Sequence, residues 1–257
     1  MLGPRRRAVT RDVRADWLLL ASPTQELKVF DPSSVAQLPE PARRWLCHAI
    51  VPGTPLARTA EIWMHGPIRL GDWRPFTAVQ RLTPREGFVW AATARLLGLP
   101  VVGFDRYARG SGQMRWRLRN LLPVMRADGP DITRSAAERH AGELLLYVPA
   151  AAVDGPIAWR AVDEDHATAR VQLESAAIDV TITVASNCAL SELVLSRWGN
   201  PDGTSFIEHI FGAAFKDEVT FGGVTLPREV TAGWHYGTPH WPEGQFIRYS
   251  IADATYS

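Results

Sequence analysis

The stretch from residue 87 to 119 constrains the fold most, because two turn signals divide it into three strand-like runs. In the first run Phe88 and Trp90 alternate with smaller residues, which is the period-two signature of a strand with two different faces. Glycine-containing segments at residues 96–99 and 109–112 interrupt the pattern as turns. Because the connections are short, the stretch is predicted to form an antiparallel meander.

The third strand of this meander has one apolar face and one basic face. Trp116 lies between Arg115 and Arg117, and Arg119 continues the basic row. Neighbouring residues on a strand point to opposite sides of the sheet. If the tryptophan face lines a concavity, we expect a site for apolar ligands. If the arginine face does, we expect a site for a carboxylate or phosphate group; otherwise the arginines form a solvated face.

The rest of the chain repeats the strand pattern and adds a few helices. Period-two alternation recurs between residues 60 and 82 and again between residues 159 and 256. A proline-initiated amphipathic segment at residues 39–50 predicts a helix. Ser135 and Glu138 have the spacing of a capping box and predict a second helix. We expect an α+β fold with nine to eleven strands and two or three helices.

The chain of 257 residues is expected to form one antiparallel-sheet domain over residues 31–257. Residues 1–30 are weakly patterned, with a short helix around residues 11–20 and disorder in the first ten. No linker rich in glycine, serine or proline divides the sequence.

Composition bounds the class of protein. The net charge of +1 gives no electrostatic reason to expect nucleic acid as the main partner. Cys47 and Cys188 are too few for a disulfide framework or a cysteine-based zinc site, so we expect two reduced thiols. The N-terminal apolar run is too short for a signal peptide, and no window is long enough to span a membrane. A cytoplasmic location is expected.

Sequence signatures of common catalytic sites are missing. The chain has no HExxH, no GxSxG and no phosphate-binding loop. Gly110 and Gly112 match the first two glycines of a dinucleotide loop, but the third is lacking and the segment joins strands. The seven histidines are scattered without metal-ligand spacing. We therefore expect neither a cofactor nor a metal.

A small-molecule pocket is the positive expectation. Large aromatic residues on strands, together with a few polar groups, have the usual composition of such a pocket. Arg139 and Glu143 lie four residues apart on the predicted second helix, so they share a face and can pair. The predicted pocket residues are Trp90, Asp105, Tyr107, Trp116, Arg139, Glu143, Trp159 and Arg197. The alternatives are that the tryptophans are simply core and that Arg139 and Glu143 form a surface ion pair.

Two resemblances add to this interpretation. The landmarks from about residue 36 onward resemble a bacterial family known only as a domain of unknown function; they include Leu38-Pro39, Gly53-Thr54-Pro55, Met64-His65-Gly66, Trp73-Arg74-Pro75-Phe76, Gly103-Phe104-Asp105-Arg106-Tyr107 and Phe221-Gly222-Gly223-Val224. The later order of strands, ending in FKDEVTFGGVTLPREV, is similar to lipoprotein-carrier half-barrels of the LolA type. That similarity implies a large curved antiparallel sheet with helices packed on its concave side and acyl chains held in the concavity.

The leading hypothesis is a non-enzymatic protein that binds or carries a hydrophobic or amphipathic small molecule, such as a fatty acid or lipid. The alternative is an enzyme acting on a hydrophobic substrate in the same cavity through Asp105, Tyr107 or the Arg139–Glu143 pair. A third hypothesis is a partner-binding module, which an exposed apolar patch would indicate. The identity of the ligand and the oligomeric state are left open.

Overall fold

A computed structural model describes residues 9–21, 27–174 and 176–257. In this part of the chain thirteen strands form one antiparallel sheet. They are β1 (Ala60–Leu70), β2 (Asp72–Thr83), β3 (Gly87–Leu96), β4 (Leu99–Ala108), β5 (Ser111–Leu118), β6 (Leu122–Asp128), β7 (Ile157–Ala161), β8 (His166–Gln172), β9 (Ala177–Val184), β10 (Leu190–Gly199), β11 (Ile207–Phe221), β12 (Val224–Trp234) and β13 (Gln245–Tyr256).

Five α-helices accompany the sheet in the described residues. They are α1 (Arg14–Leu19), α2 (Glu40–Ala49), α3 (Pro130–Tyr147), α4 (Ala150–Asp154) and α5 (Trp241–Gly244). Two short 3₁₀ turns, Arg11–Val13 and Pro32–Val35, precede α1 and α2.

The sheet consists of two meanders joined along their first and last strands. Its order is β6-β5-β4-β3-β2-β1-β13-β12-β11-β10-β9-β8-β7, so β1 pairs with β13 at the centre. Helix α3 contacts both β5 and β10, which are eight strands apart. In a flat sheet eight strand spacings would measure roughly 38 Å, several times the width of a helix. The sheet therefore curves around α3, as the α+β half-barrel prediction requires.

The concave side holds the main core. Helices α2, α3 and α4 pack there, in line with the expected two or three concave helices, and Trp90 and Trp116 point to this side. On the opposite, convex side, Val89 and Phe104 pack against Val13 and Leu20 of the segment around α1. The alternation in the first strand of the meander is thus real, with each face buried against a different partner.

The arginine row lies on the convex side and receives a carboxylate from the chain itself. Asp12 Oδ2 lies 3.3 Å from Arg115 Nη1 and 3.2 Å from Arg117 Nη1. One turn further on, Asp16 pairs with Arg106 at 3.3 Å. The tryptophan face therefore lines the concavity, while the arginines fix the N-terminal segment.

Several local predictions need correction. The sheet has thirteen strands, more than nine to eleven, and the edge strand β6 lacks clean alternation because it contains Pro123 and is mostly exposed. The capping box is wrong: α3 begins at Pro130, five residues earlier, so Ser135 lies inside the helix. A helix at Arg14–Leu19 confirms the one expected around residues 11–20. Disorder was expected in the first ten residues, and residues 1–8 of these lie outside the described part.

Candidate functional site

The candidate site is a cavity of about 400 Å³ between α3 and the concave face of the sheet. Strands from both meanders contribute to its wall, because α3 bridges them. Apolar side chains dominate the lining: Met64, Ile68, Trp90, Met114, Trp116, Leu146, Leu193, Leu195, Phe206, Phe211, Phe215, Val230, Phe246 and Ile247. A cavity of this size and composition is typical of small-molecule sites.

A polar network crosses one wall of the cavity. Arg139 Nε donates to Glu143 at 2.8 Å, and Arg139 Nη1 donates to Asp105 at 3.2 Å. Gln80 Nε2 donates to the other oxygen of Glu143 at 2.5 Å, and Trp116 Nε1 donates to Asp105 at 3.3 Å. The four-residue spacing on α3 thus brings Arg139 and Glu143 together, but inside the cavity wall and not on the surface.

Burial sets the charge states in this network. It raises the pKa of Asp105, although Arg139 and the Trp116 hydrogen bond act in the opposite direction. For Arg139 burial favours the neutral form, but the carboxylates of Glu143 and Asp105 outweigh it and the pKa is raised. The guanidinium stays charged, while Asp105 is driven toward its neutral form.

Two tyrosines form a second polar point on the wall. The hydroxyl groups of Tyr147, the last residue of α3, and Tyr249 of β13 share a hydrogen bond. Burial raises the pKa of both phenols, so both are neutral. They add hydrogen-bonding capacity to the cavity without adding charge.

Arg197 of β10 forms a third polar point and lies among aromatic rings. Its guanidinium carbon is 4.6 Å from the centre of the Phe211 ring and 5.1 Å from that of Trp234. Its Nε donates to the backbone oxygen of Ser135 at 3.3 Å. The Trp234 ring can lie there because Gly199 has no side chain; a Cβ at Gly199 would come within 2.2 Å of the indole.

Six of the eight predicted pocket residues line the cavity: Trp90, Asp105, Trp116, Arg139, Glu143 and Arg197. Tyr107 does not, because α3 covers it and its ring packs 5.8 Å from that of His140. Trp159 packs against Trp45 of α2, with ring centres 6.2 Å apart, and is also absent from the lining. Both are large aromatics on strands, but helices occupy the sheet surface above them.

Sequence reasoning missed Gln80, Tyr147 and Tyr249 as lining residues. Gln80 carried a usable signal, because an amide within an apolar strand run has to find a buried partner. The Tyr147–Tyr249 contact joins residues 102 positions apart and had no local signal.

Metal binding and membrane spanning were searched over the described residues. No group of three or more His, Cys, Asp or Glu side chains there is arranged to hold a metal ion. Cys47 and Cys188 are free and half-buried. Within the same residues no helix is both long and apolar enough to cross a bilayer.

Residues 28–246 match the model of a family of unknown function, DUF6544. The chain belongs to this family. The match confirms the resemblance to a domain of unknown function, and it assigns no activity. No curated protein matches the chain significantly.

Solved structures similar to this DUF6544 protein come from three bacteria. One is a putative outer membrane lipoprotein-sorting protein domain from Vibrio parahaemolyticus, 6% identical; another is a LolA superfamily protein from Nitrosomonas europaea, 8% identical. The third is a DUF1329 family protein from Desulfovibrio piger, 11% identical. Each alignment covers 78% of this chain and 86% of the other, with a TM-score of 0.41. One of the three structures is therefore a LolA superfamily protein.

Proposed function

We propose that this DUF6544 protein binds or carries a hydrophobic or amphipathic small molecule in the cavity under α3. The observation that carries the proposal is the enclosure of about 400 Å³ by mostly apolar side chains with a few convergent polar groups. An apolar ligand gains free energy by leaving water for such a lining. Without a ligand, the same lining would leave aromatic and aliphatic surface without packing partners.

The lining is suited to ligands of variable shape. Met64, Met114 and Met125 all contribute to it, and methionine side chains are flexible and polarizable. Trp90 Nε1 points to Met64 Sδ at 3.4 Å, so even the indole nitrogen makes only a weak polar contact. These features favour recognition of a flexible chain, such as a fatty acyl group, over a rigid polar metabolite.

Mass spectrometry of the purified protein tests this proposal. Native spectra and solvent extracts should show co-purified lipid, and the stripped protein should take up added hexadecanoate. Ala213→Trp places an indole in the cavity, because Ala213 is buried and lines it. We expect this variant to lose the ligand.

Ala158→Trp is the matched control, since Ala158 is exposed on β7 and is not among the cavity residues. It should keep the ligand. Circular dichroism of both variants checks that they are folded. A wild-type protein that carries no lipid and takes up no hexadecanoate would refute the proposal.

An enzyme acting on the same class of ligand is the second candidate. The observation in its favour is that Asp105, Arg139 and Glu143 converge within hydrogen-bond distance at the cavity wall. Tyr107, which the sequence offered for this role, lies elsewhere. Recovery of the extracted ligand chemically unchanged after prolonged incubation with fresh protein would favour the carrier, and a product would favour the enzyme.

A cytoplasmic location stays a prediction.

A further inference from the structure

Arg197 is a cavity-lining guanidinium with no direct anionic partner. In the described chain no carboxylate oxygen lies within 4.0 Å of it, whereas its neighbour Arg139 contacts both Asp105 and Glu143. Placing a charge away from water is costly unless an opposite charge or hydrogen bonds compensate for it. Arg197 therefore lacks the compensation that the other arginine of the cavity wall has.

The hydrogen-bonding pattern of Arg197 leaves its outer edge free. A guanidinium has five N–H donors, and here Nε is used by the backbone oxygen of Ser135. No hydrogen bond joins the two Nη atoms to any residue that the structure describes. Phe211 and Trp234 contact the guanidinium through their rings, and these rings leave the N–H groups in its plane unpaired.

The pKa of Arg197 also reflects the lack of a carboxylate in direct contact with it among the described residues. Burial lowers its pKa to about 10, and the nearby positive charge of Arg139 contributes to the decrease. The carboxylates of Glu143, Glu138 and Asp105 oppose it only from a distance. Glu143 and Asp105 are both in direct contact with Arg139, so neither carboxylate is paired directly with Arg197.

We propose that Arg197 binds the anionic head group, a carboxylate or phosphate, of a ligand whose apolar tail occupies the cavity. This inference rests on the proposed function and specifies the class of ligand. Two Nη donors side by side match the two oxygens of a carboxylate or phosphate. The surrounding aromatic rings shield the guanidinium from part of the solvent, which strengthens a charge-assisted hydrogen bond. The head group would supply the compensation that the protein itself does not.

Binding of probes with one tail and different heads tests the inference. Hexadecanoate, hexadecyl phosphate and the neutral hexadecanol are titrated into stripped wild-type protein, with inorganic phosphate alone as the free-anion probe. We expect at least one anionic probe to bind roughly 10- to 100-fold more tightly than hexadecanol, as for hydrogen bonds to a charged group. The preferred head tells carboxylate from phosphate.

Variants then assign the preference to Arg197. In Arg197→Met, the affinity for the anionic probes should fall to that for hexadecanol, and the affinity for hexadecanol should stay unchanged. Arg197→Lys should recover part of the lost affinity. Arg170→Met is the control, because Arg170 lies outside the cavity lining, is exposed on β8 and pairs with Asp179 on the surface. It should bind all probes as the wild type does.

The outcomes separate this inference from the proposed function. If wild-type protein binds hexadecanol as tightly as both anions, the head-group inference is wrong while ligand binding stands. If inorganic phosphate binds but no hexadecyl probe does, or if no probe binds at all, the proposed function fails and the inference with it. The wild-type comparison does not depend on the folding of any variant.

Discussion

At the scale of single residues, His140 is a buried ionisable group outside the cavity that makes the stability of the fold depend on pH. It lies on α3 with no exposed surface, and its ring is 6.0 Å from that of Phe88 and 5.8 Å from that of Tyr107. The backbone at Thr83 and Pro84 approaches the ring, but neither ring nitrogen makes a hydrogen bond of regular geometry. Burial lowers the pKa of His140 to about 4.

This pKa predicts a loss of stability in mild acid. The unfolded chain binds a proton at His140 below its ordinary pKa of 6.5, whereas the folded protein does so only near pH 4. The stability that comes from keeping His140 neutral in the folded state is therefore fully present above pH 6.5. As the pH decreases toward 4, the free energy of unfolding falls by about 3 kcal/mol. Urea unfolding between pH 4 and 7 measures it.

His140→Phe should remove most of this pH dependence, because the ring site is kept and the ionisable group is gone. His48→Asn is the control: His48 is partly exposed and pairs with Glu218, so its replacement should leave the slope from His140 in place. Equal slopes in wild type and His140→Phe would contradict the assignment.

Much of the residue-scale picture followed from strand periodicity. Alternation alone required Trp116 and Arg117 to face opposite sides of the sheet. It did not say which side is concave, because that depends on α3 covering one face and Asp12 pairing with the other. Tyr107 shows the same limit of periodicity. Its place in the strand pattern is that of a residue facing the concavity, but its position under α3 depends on a contact between distant segments.

At the scale of elements, the segment around α1 is held on the convex side by charge as well as by apolar contact. Its Asp12 bridges Arg115 and Arg117, and the backbone oxygen of Trp17 accepts a hydrogen bond from Arg81 at 2.9 Å. These ion pairs are partly exposed, so each contributes little to overall stability. Together they hold a short helix that could not persist alone.

Asp12→Asn should loosen this segment without unfolding the protein. Without the shared carboxylate, the two arginines repel each other and the segment opens more often. We expect amide hydrogen exchange of residues 13–20 to accelerate roughly two- to fivefold, with a change below about 1 kcal/mol in global unfolding. Asp72→Asn, which removes an exposed pair with Arg74, is the control and should leave this exchange unchanged. Unaltered exchange in Asp12→Asn would show that apolar packing alone holds the segment.

Elements with strong local patterns were predictable, and those set by context were not. The central strands alternate because each has two chemically different sides, so their type was clear from the sequence. Strand β6 lies at the sheet edge, and its pattern is disrupted by Pro123 and by exposure on both sides. The start of α3 was misplaced because Pro130 initiates the helix, while Glu138 of the supposed capping box pairs with Arg134 instead.

At the scale of the whole molecule, one non-local pairing creates the site. Eleven of the twelve strand pairings in the described sheet join consecutive strands, and hairpins of this kind are visible in the sequence. The twelfth, between β1 and β13, fuses two meanders into one sheet that wraps around α3. No local pattern encodes this closure. It explains why lining residues such as Trp90 and Val230 were recognisable as apolar strand residues but not as partners across a cavity.

The wrapped architecture predicts that ligand removal destabilises the protein as a whole, because the ligand contacts both meanders and α3. A ligand that binds only the folded state at 100 times its Kd stabilises it by about 2.7 kcal/mol. For a chain of this size that corresponds to a rise in Tm of roughly 5–10 °C. Differential scanning calorimetry of stripped protein, with and without hexadecanoate, measures the shift.

The Ala213→Trp variant separates binding in the cavity from adsorption to the surface. Its cavity is filled by the indole, so its Tm should not respond to hexadecanoate, whereas Ala158→Trp should respond as the wild type does. A similar rise in Tm for both variants would place the ligand elsewhere on the molecule. Since α3 forms one wall of the cavity and also contacts β5 and β10, the shift should be accompanied by slower amide exchange along α3 and both strands.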